Sequence, residues 1–116
     1  MQKTQALFDE DGYPSDQTLE DIVNFSLKEY INNPSGFFEL SEKVFNKFYG
    51  SWETVDSYQN PELSGEEPFR VLRIATGGWS GNEMIIRAMK KNFIWSIHFL
   101  ACFRGGLYII DAKGIA

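Results

Sequence analysis

One cysteine, Cys102, and one histidine, His98, are all that this chain of 116 residues has of either type. An intramolecular disulfide is therefore excluded, and so is a metal cluster built on histidines. A lone thiol fits a reducing compartment. If His98 and Cys102 share one strand, four positions at about 3.3 Å each set them ~13 Å apart, too far for a nucleophile–base dyad. His98 then reads as a half-buried sheet residue, with general-base work as the lesser reading, and Cys102 as a small apolar strand residue.

Long apolar runs are also missing. The longest, 93–103, falls short of the roughly 18–20 residues that a membrane span needs. The start, Met-Gln-Lys-Thr-Gln-Ala-Leu, lacks the apolar centre of a signal peptide. The expectation is a cytoplasmic protein with no membrane contact. Positive charge is scarce too: 11 Lys and Arg against 16 Asp and Glu leave a net charge of −5. Binding to a nucleic-acid backbone needs clustered cations, so this balance argues against such a partner.

Several motifs fail on inspection. There is no G-x-G-x-x-G and no Gly-Lys-Ser/Thr of a phosphate-binding loop. Asp9-x-Asp11-Gly12 hints at a calcium loop, but that alignment puts Leu7 and Thr18 where acidic ligands are required. Asn24-Phe25-Ser26 matches a glycosylation sequon, yet it falls inside an expected helix. The carboxylates form no pattern that suggests a shared cleft, so no catalytic pair, cofactor or metal is expected.

What the chain does have is aromatic bulk, with ten Phe, five Tyr and three Trp. A core can form without staples. The whole of 1–116 reads as a single domain, with 1–14 as a flexible arm closed by Gly12-Tyr13-Pro14 and 51–68 as an exposed acidic loop around Glu62, Glu66 and Glu67. Ser15 is placed to cap a first helix carrying Leu19, Ile22, Val23, Tyr30 and Ile31 at helical spacing. Asn33 and Pro34 open a second helix reaching Tyr49, with Phe37, Leu40, Val44 and Phe48 as its stripe and Gly50 as its stop. Residues 69–75 alternate as a strand. Residues 92–103 alternate as a longer one, Phe93, Trp95, Ile97 and Phe99 on one face. Arg104-Gly105-Gly106 then turns into a last strand from Leu107. The expected class is α+β, a helical hairpin packed on a three-stranded sheet in the order α-α-β-α-β-β.

Thr76-Gly77-Gly78-Trp79-Ser80-Gly81-Asn82-Glu83 links the first expected strand to the third expected helix. Ser80 and Glu83 have capping-box spacing, and Trp79 with Met84 has the spacing of a hydrophobic staple. Folding needs thus account for most of the motif. The same geometry can hold an anion on the amides behind a glycine turn. The candidate ligand-binding set is Gly77, Gly78, Trp79, Ser80, Asn82 and Arg104, with Trp79 stacking on a ring and Arg104 forking an anionic group.

The last 45 or so residues resemble a group of small bacterial and phage proteins. The resemblance rests on Thr76 to Glu83, the aromatic segment around Trp95, and Arg104-Gly105-Gly106-x-Tyr108. Phe103 stands where a second basic residue often precedes the arginine in that group. The resemblance implies a bacterial or phage cytosolic setting and no particular chemistry. Two functions follow as expectations. The first is a non-enzymatic interaction or accessory module that uses aromatic and acidic surface against a protein partner. The second is a binder of a small anion or nucleotide at the Gly77–Glu83 loop. Because 92–103 alternates apolar residues on both faces, a homodimer covering one face is a further expectation.

Overall fold

A computed structural model describes residues 6–58 and 68–115. The fold is α+β, with a four-stranded antiparallel sheet and five helices among the described residues. In chain order the elements are α1 (Asp16–Val23), α2 (Leu27–Asn32), α3 (Gly36–Val44), β1 (Ser51–Tyr58), β2 (Phe69–Ala75), α4 (Ser80–Lys90), α5 (Phe93–His98), β3 (Phe99–Phe103) and β4 (Leu107–Asp111). The strands lie in the order β1-β2-β4-β3, and every neighbouring pair is antiparallel.

The expected three strands are thus four, and the expected α-α-β-α-β-β order is corrected at three points. The first helix is two. Ser15 caps α1 as its sequence suggests, accepting from the amide of Thr18. Ser26 then restarts the chain with a full capping box, its hydroxyl bound to the Glu29 amide and Glu29 bound to the Ser26 amide. A reciprocal cap of this kind favours a new helix start over continuation of α1. Glycosylation-type Asn24 consequently lies between helices, not inside one.

The second correction concerns Ser51–Tyr58, expected as the start of an acidic loop. It is β1, and its carboxylates sit opposite cations of β2: Asp56 Oδ1 lies 2.9 Å from Arg70 Nε, and Glu53 Oε1 lies 3.6 Å from Arg73 Nη1. Cross-strand pairing of this kind offsets the weak strand propensity of Glu and Asp. The rest of the expected loop, 59–67, lies outside the described residues, as does the start of the expected arm, 1–5.

Third, 92–103 is not one strand. Asn92 caps α5 by accepting from the Ile94 amide, while its Nδ2 donates to the carbonyls of Ile22, Val23 and Phe25. One side chain thereby closes the end of α1 and opens α5. Only Phe99–Phe103 is extended, so the two-faced strand that motivated a homodimer does not exist in that form. The turn at Arg104–Gly106 forms as expected, with φ of 84° at Gly105 and 79° at Gly106. Among the described residues the neighbours of β2 are β1 and β4, both antiparallel.

The core lies between one sheet face and the helices. Trp52, Leu72, Ile74 and Ile110 meet Ile22, Phe37, Phe38, Val44, Ile85, Met89 and Ile94 in one buried cluster. The register pairs Trp52 with Ile74 and Leu72 with Ile110, so these side chains share the helix-covered face. Burying a residue of this size contributes about 1.5–3 kcal/mol.

Candidate functional site

Ser51, Ala75 and Leu107 are register neighbours, so the segments that border them meet at one end of the sheet. These are the turn at 46–50, the glycine loop at 76–79 and the hairpin turn at 104–106. The three touch through their backbones. Thr76 N donates to Gly106 O at 3.1 Å. A Cβ on Gly77 would fall 1.7 Å from the Tyr49 carbonyl oxygen, and one on Gly50 would fall 2.2 Å from that of Ala75. Only glycine allows the two loops to approach so closely, and Gly77 also sits at a φ of 69°.

Asn82 locks this junction. It is fully buried, its Oδ1 accepts from Asn46 N at 2.8 Å, and its Nδ2 donates to Asn46 O and Thr76 O, both at 3.1 Å. Asn46 passes the constraint on: its Oδ1 accepts from Phe48 N at 2.8 Å, and its carbonyl accepts from the amides of Tyr49 and Gly50. The glycine loop therefore fixes the backbone that carries Phe48 and Tyr49.

On that backbone stands a ridge of aromatic rings. Phe48 meets Tyr49 edge-on at 5.2 Å between centroids, Tyr49 stacks on Trp79 at 5.2 Å, and Trp79 meets Tyr13 at 4.9 Å. Phe48 is 88% exposed and Tyr49 is 52% exposed. Trp79 is half-buried and lies over Gly81, where a Cβ would come within 2.3 Å of the indole ring. Tyr13 is tied in by its hydroxyl, 3.1 Å from Ser80 Oγ.

The expected capping box at Ser80 and Glu83 does not form. Trp79 holds the cap position without a side-chain bond, Ser80 is the first helical residue, and the Glu83 amide donates to Trp79 O. The Glu83 carboxylate accepts instead from Thr76 Oγ1 at 3.4 Å, since the glycine turn swings Thr76 back over the helix start. With Trp79 itself at the cap, it no longer stands before the cap as a staple with Met84 requires. The indole packs on Tyr13 and Tyr49, and Met84 lines a groove of about 470 Å³ between α1 and α4 with Leu19, Val23 and Arg87.

The expected ligand residues are thus partly gathered. Gly77, Gly78, Trp79, Ser80 and Asn82 lie together, and the turn carrying Arg104 adjoins them through Gly106. Many of their groups already have partners. The Gly78 amide donates to Thr76 Oγ1 at 3.2 Å, and the Trp79 amide donates to Thr76 O at 3.4 Å. Ser80 and Arg104 are exposed. Beside them Glu83, Ile86, Arg87, Lys90, Gly106 and Tyr108 line a recess of about 300 Å³, with Lys90 Nζ 5.0 Å from the Tyr108 ring centre.

His98, expected on a strand with one nitrogen satisfied, is buried at the end of α5 and has both nitrogens engaged. Nδ1 lies 2.8 Å from Asp111 O, and Nε2 lies 2.5 Å from the Tyr30 hydroxyl. A neutral imidazole with its proton on Nδ1 donates to the carbonyl and accepts from the phenol. Burial pushes the Tyr30 phenol above its ordinary pKa, and the Asp111 carboxylate adds to the effect. Through His98 the Tyr30 hydroxyl ties α2 to α5 and β4. Asp9 has an equally local use, its Oδ1 accepting from the amides of Asp11 and Tyr13. Among the described residues no cluster of His, Cys, Asp and Glu is placed to hold a metal, and no helix is long and apolar enough to cross a membrane.

In comparisons with protein-family models, curated proteins and solved structures, nothing matches this chain.

Sequence reasoning singled out Trp79 but missed Tyr13, Phe48 and Tyr49. Phe48 was assigned to the apolar stripe of a helix. That helix, α3, ends at Val44, and Phe48 is exposed on the turn beyond it. Two adjacent aromatics just before a glycine were the available clue, because neighbours on a turn cannot both face one core.

Proposed function

We propose that the protein is a non-enzymatic interaction module that presents the ridge of Phe48, Tyr49, Trp79 and Tyr13 to a protein partner. The observation that carries this reading is the exposure of Phe48 on a rigidly held turn. A large ring in water gains from burial in a partner's pocket, and a ring already fixed by neighbours loses little entropy on binding. Tyr and Trp are the residues most often found at the energetic centre of interfaces.

Photocrosslinking tests the reading. A benzophenone side chain placed at Phe48 is expected to give discrete protein adducts in cell lysate, while the same group at exposed Lys28 on α2 gives none. Equal labelling at both positions, or none at Phe48, overturns it.

A second reading, a small-anion or nucleotide site at the Gly77–Glu83 loop with Arg104, draws support from the recess beside it. Among the described residues Arg87, Lys90 and Arg104 have no ion-pair partner. A thermal-shift screen against phosphates and nucleotides checks it. A ligand at 100 times its dissociation constant adds about 2.7 kcal/mol, and Arg104→Ala should abolish the shift.

A further inference from the structure

The groove between α1 and α4 is built from four rows of side chains, each at the i, i+4 spacing that lines one strip of a helix. Leu19 and Val23 form one apolar row on α1, and Met84 and Ala88 form another on α4. Beside them run an acidic row, Asp16 and Glu20, and a basic row, Arg87 and Lys91. The apolar rows are buried or half-buried and the charged rows exposed, so the first two make the floor and the others the rims. Among the described residues none of the four rim charges enters an ion pair. Acid and base thus face one another without closing, across a space of about 470 Å³. Ile22, Ile85 and Met89 of the same helices are wholly buried in the core. The groove is therefore a second apolar face of the helix pair, left open after its core face is filled.

We infer that this groove docks an amphipathic helix of a protein partner, lying along α1 and α4. Its basic flank meets the acidic rim of α1, and its acidic flank meets the basic rim of α4. Three observations select this occupant. The floor repeats at helical spacing on both sides, so a third helix can seat its own apolar stripe between the two. The rims carry unpaired charges of opposite sign, the arrangement by which flanking positions of packed helices set partner choice and direction. A small anion or cation would satisfy one rim only, and an occupant of a single sign would be repelled by the other. Finally, the floor is concave. A second copy pairing about a two-fold axis would set groove against groove and leave both floors uncovered. The site is separate from the aromatic ridge, none of whose rings lines it, and it does not rest on the reading given to that ridge.

The probes are three helical peptides of about 14 residues, stapled on the outward face because free helices of that length are marginal in water. All carry the same Leu stripe. One has Lys along one flank and Glu along the other, one has Lys on both, and one has Glu on both. Fluorescence anisotropy with the full chain should rank the mixed peptide first, its dissociation constant about tenfold or more below those of the other two. Glu20→Lys, at an exposed position inside α1, should erase the advantage over the Glu-only peptide with an unchanged circular dichroism spectrum. Absence of saturable binding, equal binding by all three, or a ranking that Glu20→Lys does not move overturns the inference. Should that variant fail to fold, amide resonances of the wild-type protein decide. The mixed peptide should shift those of Leu19, Val23, Met84 and Ala88, and shifts confined to other surfaces count against the proposal. Sedimentation of the wild type tests the rival occupant. A dimer that Met84→Glu dissociates would give the groove to a second copy and overturn its assignment to a partner.

Discussion

At the end of the sheet where the glycine loop lies, polar groups point inward and find partners, while aromatic rings stand in solvent on a braced backbone. Along β3 the side chains are apolar and uncharged, and Phe99 and Phe103 stand partly in solvent at its two ends. The first region is a rigid mount for side chains. The second is a short, irregular strand with no charge of its own. The contrast teaches that the residues most conspicuous in the sequence, Thr76 to Glu83, act largely as a foundation. The surface they prepare is completed by Tyr13, Phe48 and Tyr49, which look unremarkable on their own.

The largest expected effect comes from breaking that foundation. Asn82→Ala would strip the Asn46 amide of its acceptor and take one donor each from the carbonyls of Asn46 and Thr76 at a buried junction. The cost should be about 3–4 kcal/mol, read as a fall in the urea midpoint with an unchanged slope. Gly77→Ala comes next, at about 3 kcal/mol, since the added methyl meets the Tyr49 carbonyl and the φ is left-handed. Gly105→Ala, with the same sign of φ but open space around the methyl, should cost only about 1 kcal/mol. Thermal melts of the two proteins would measure how much of the Gly77 requirement is contact rather than conformation.

Tyr30→Phe sharpens the comparison from the opposite side of the core, at about 1–2 kcal/mol, because His98 loses its hydroxyl donor. It also carries a pH signature. The native state holds the Tyr30 proton more tightly than the unfolded chain does, so this contribution is fully present below the unfolded pKa near ~10 and is lost as pH rises through the higher folded value. Wild-type stability should therefore fall more steeply than that of Tyr30→Phe in alkaline denaturation. The smallest effect on stability is expected at Phe48→Ala, within about 0.5 kcal/mol, because the ring is mostly in water. The same substitution should weaken partner capture tenfold or more. A large loss of stability there would show that the ridge is packing and not presentation.

How much of this was legible in the sequence depended on whether local chemistry had distant competition. Two Ser-x-x-Glu patterns make the point. At Ser26 and Glu29 nothing distant interferes, and the capping box forms in full. At Ser80 and Glu83 the glycine turn delivers Thr76 to the carboxylate, and the helix begins a residue early. The strand-like alternation of Phe93 to His98 was overruled in the same manner. Asn92 caps a helix there because its amide group also satisfies three carbonyls near the end of α1. β1 was hidden by its own carboxylates, whose arginine partners lie on the next strand. The α+β class, the Ser15 cap and the Arg104–Gly106 turn, all governed by near neighbours, were legible. The aromatic ridge was not, since Tyr13, Phe48 and Trp79 are brought together only by the tertiary fold.

Asn92 has one further consequence, for the order in which the chain is made. The carbonyls of Val23 and Phe25 wait for a side chain 67 to 69 positions downstream. During synthesis at about 5–20 residues per second, that interval lasts several seconds. The first helix thus emerges from the ribosome with its end unfinished, and water must hold those carbonyls until α5 arrives. Native structure at the amino terminus is therefore completed late, together with the carboxyl half, so a truncation before Asn92 would leave an incomplete fold rather than a smaller one.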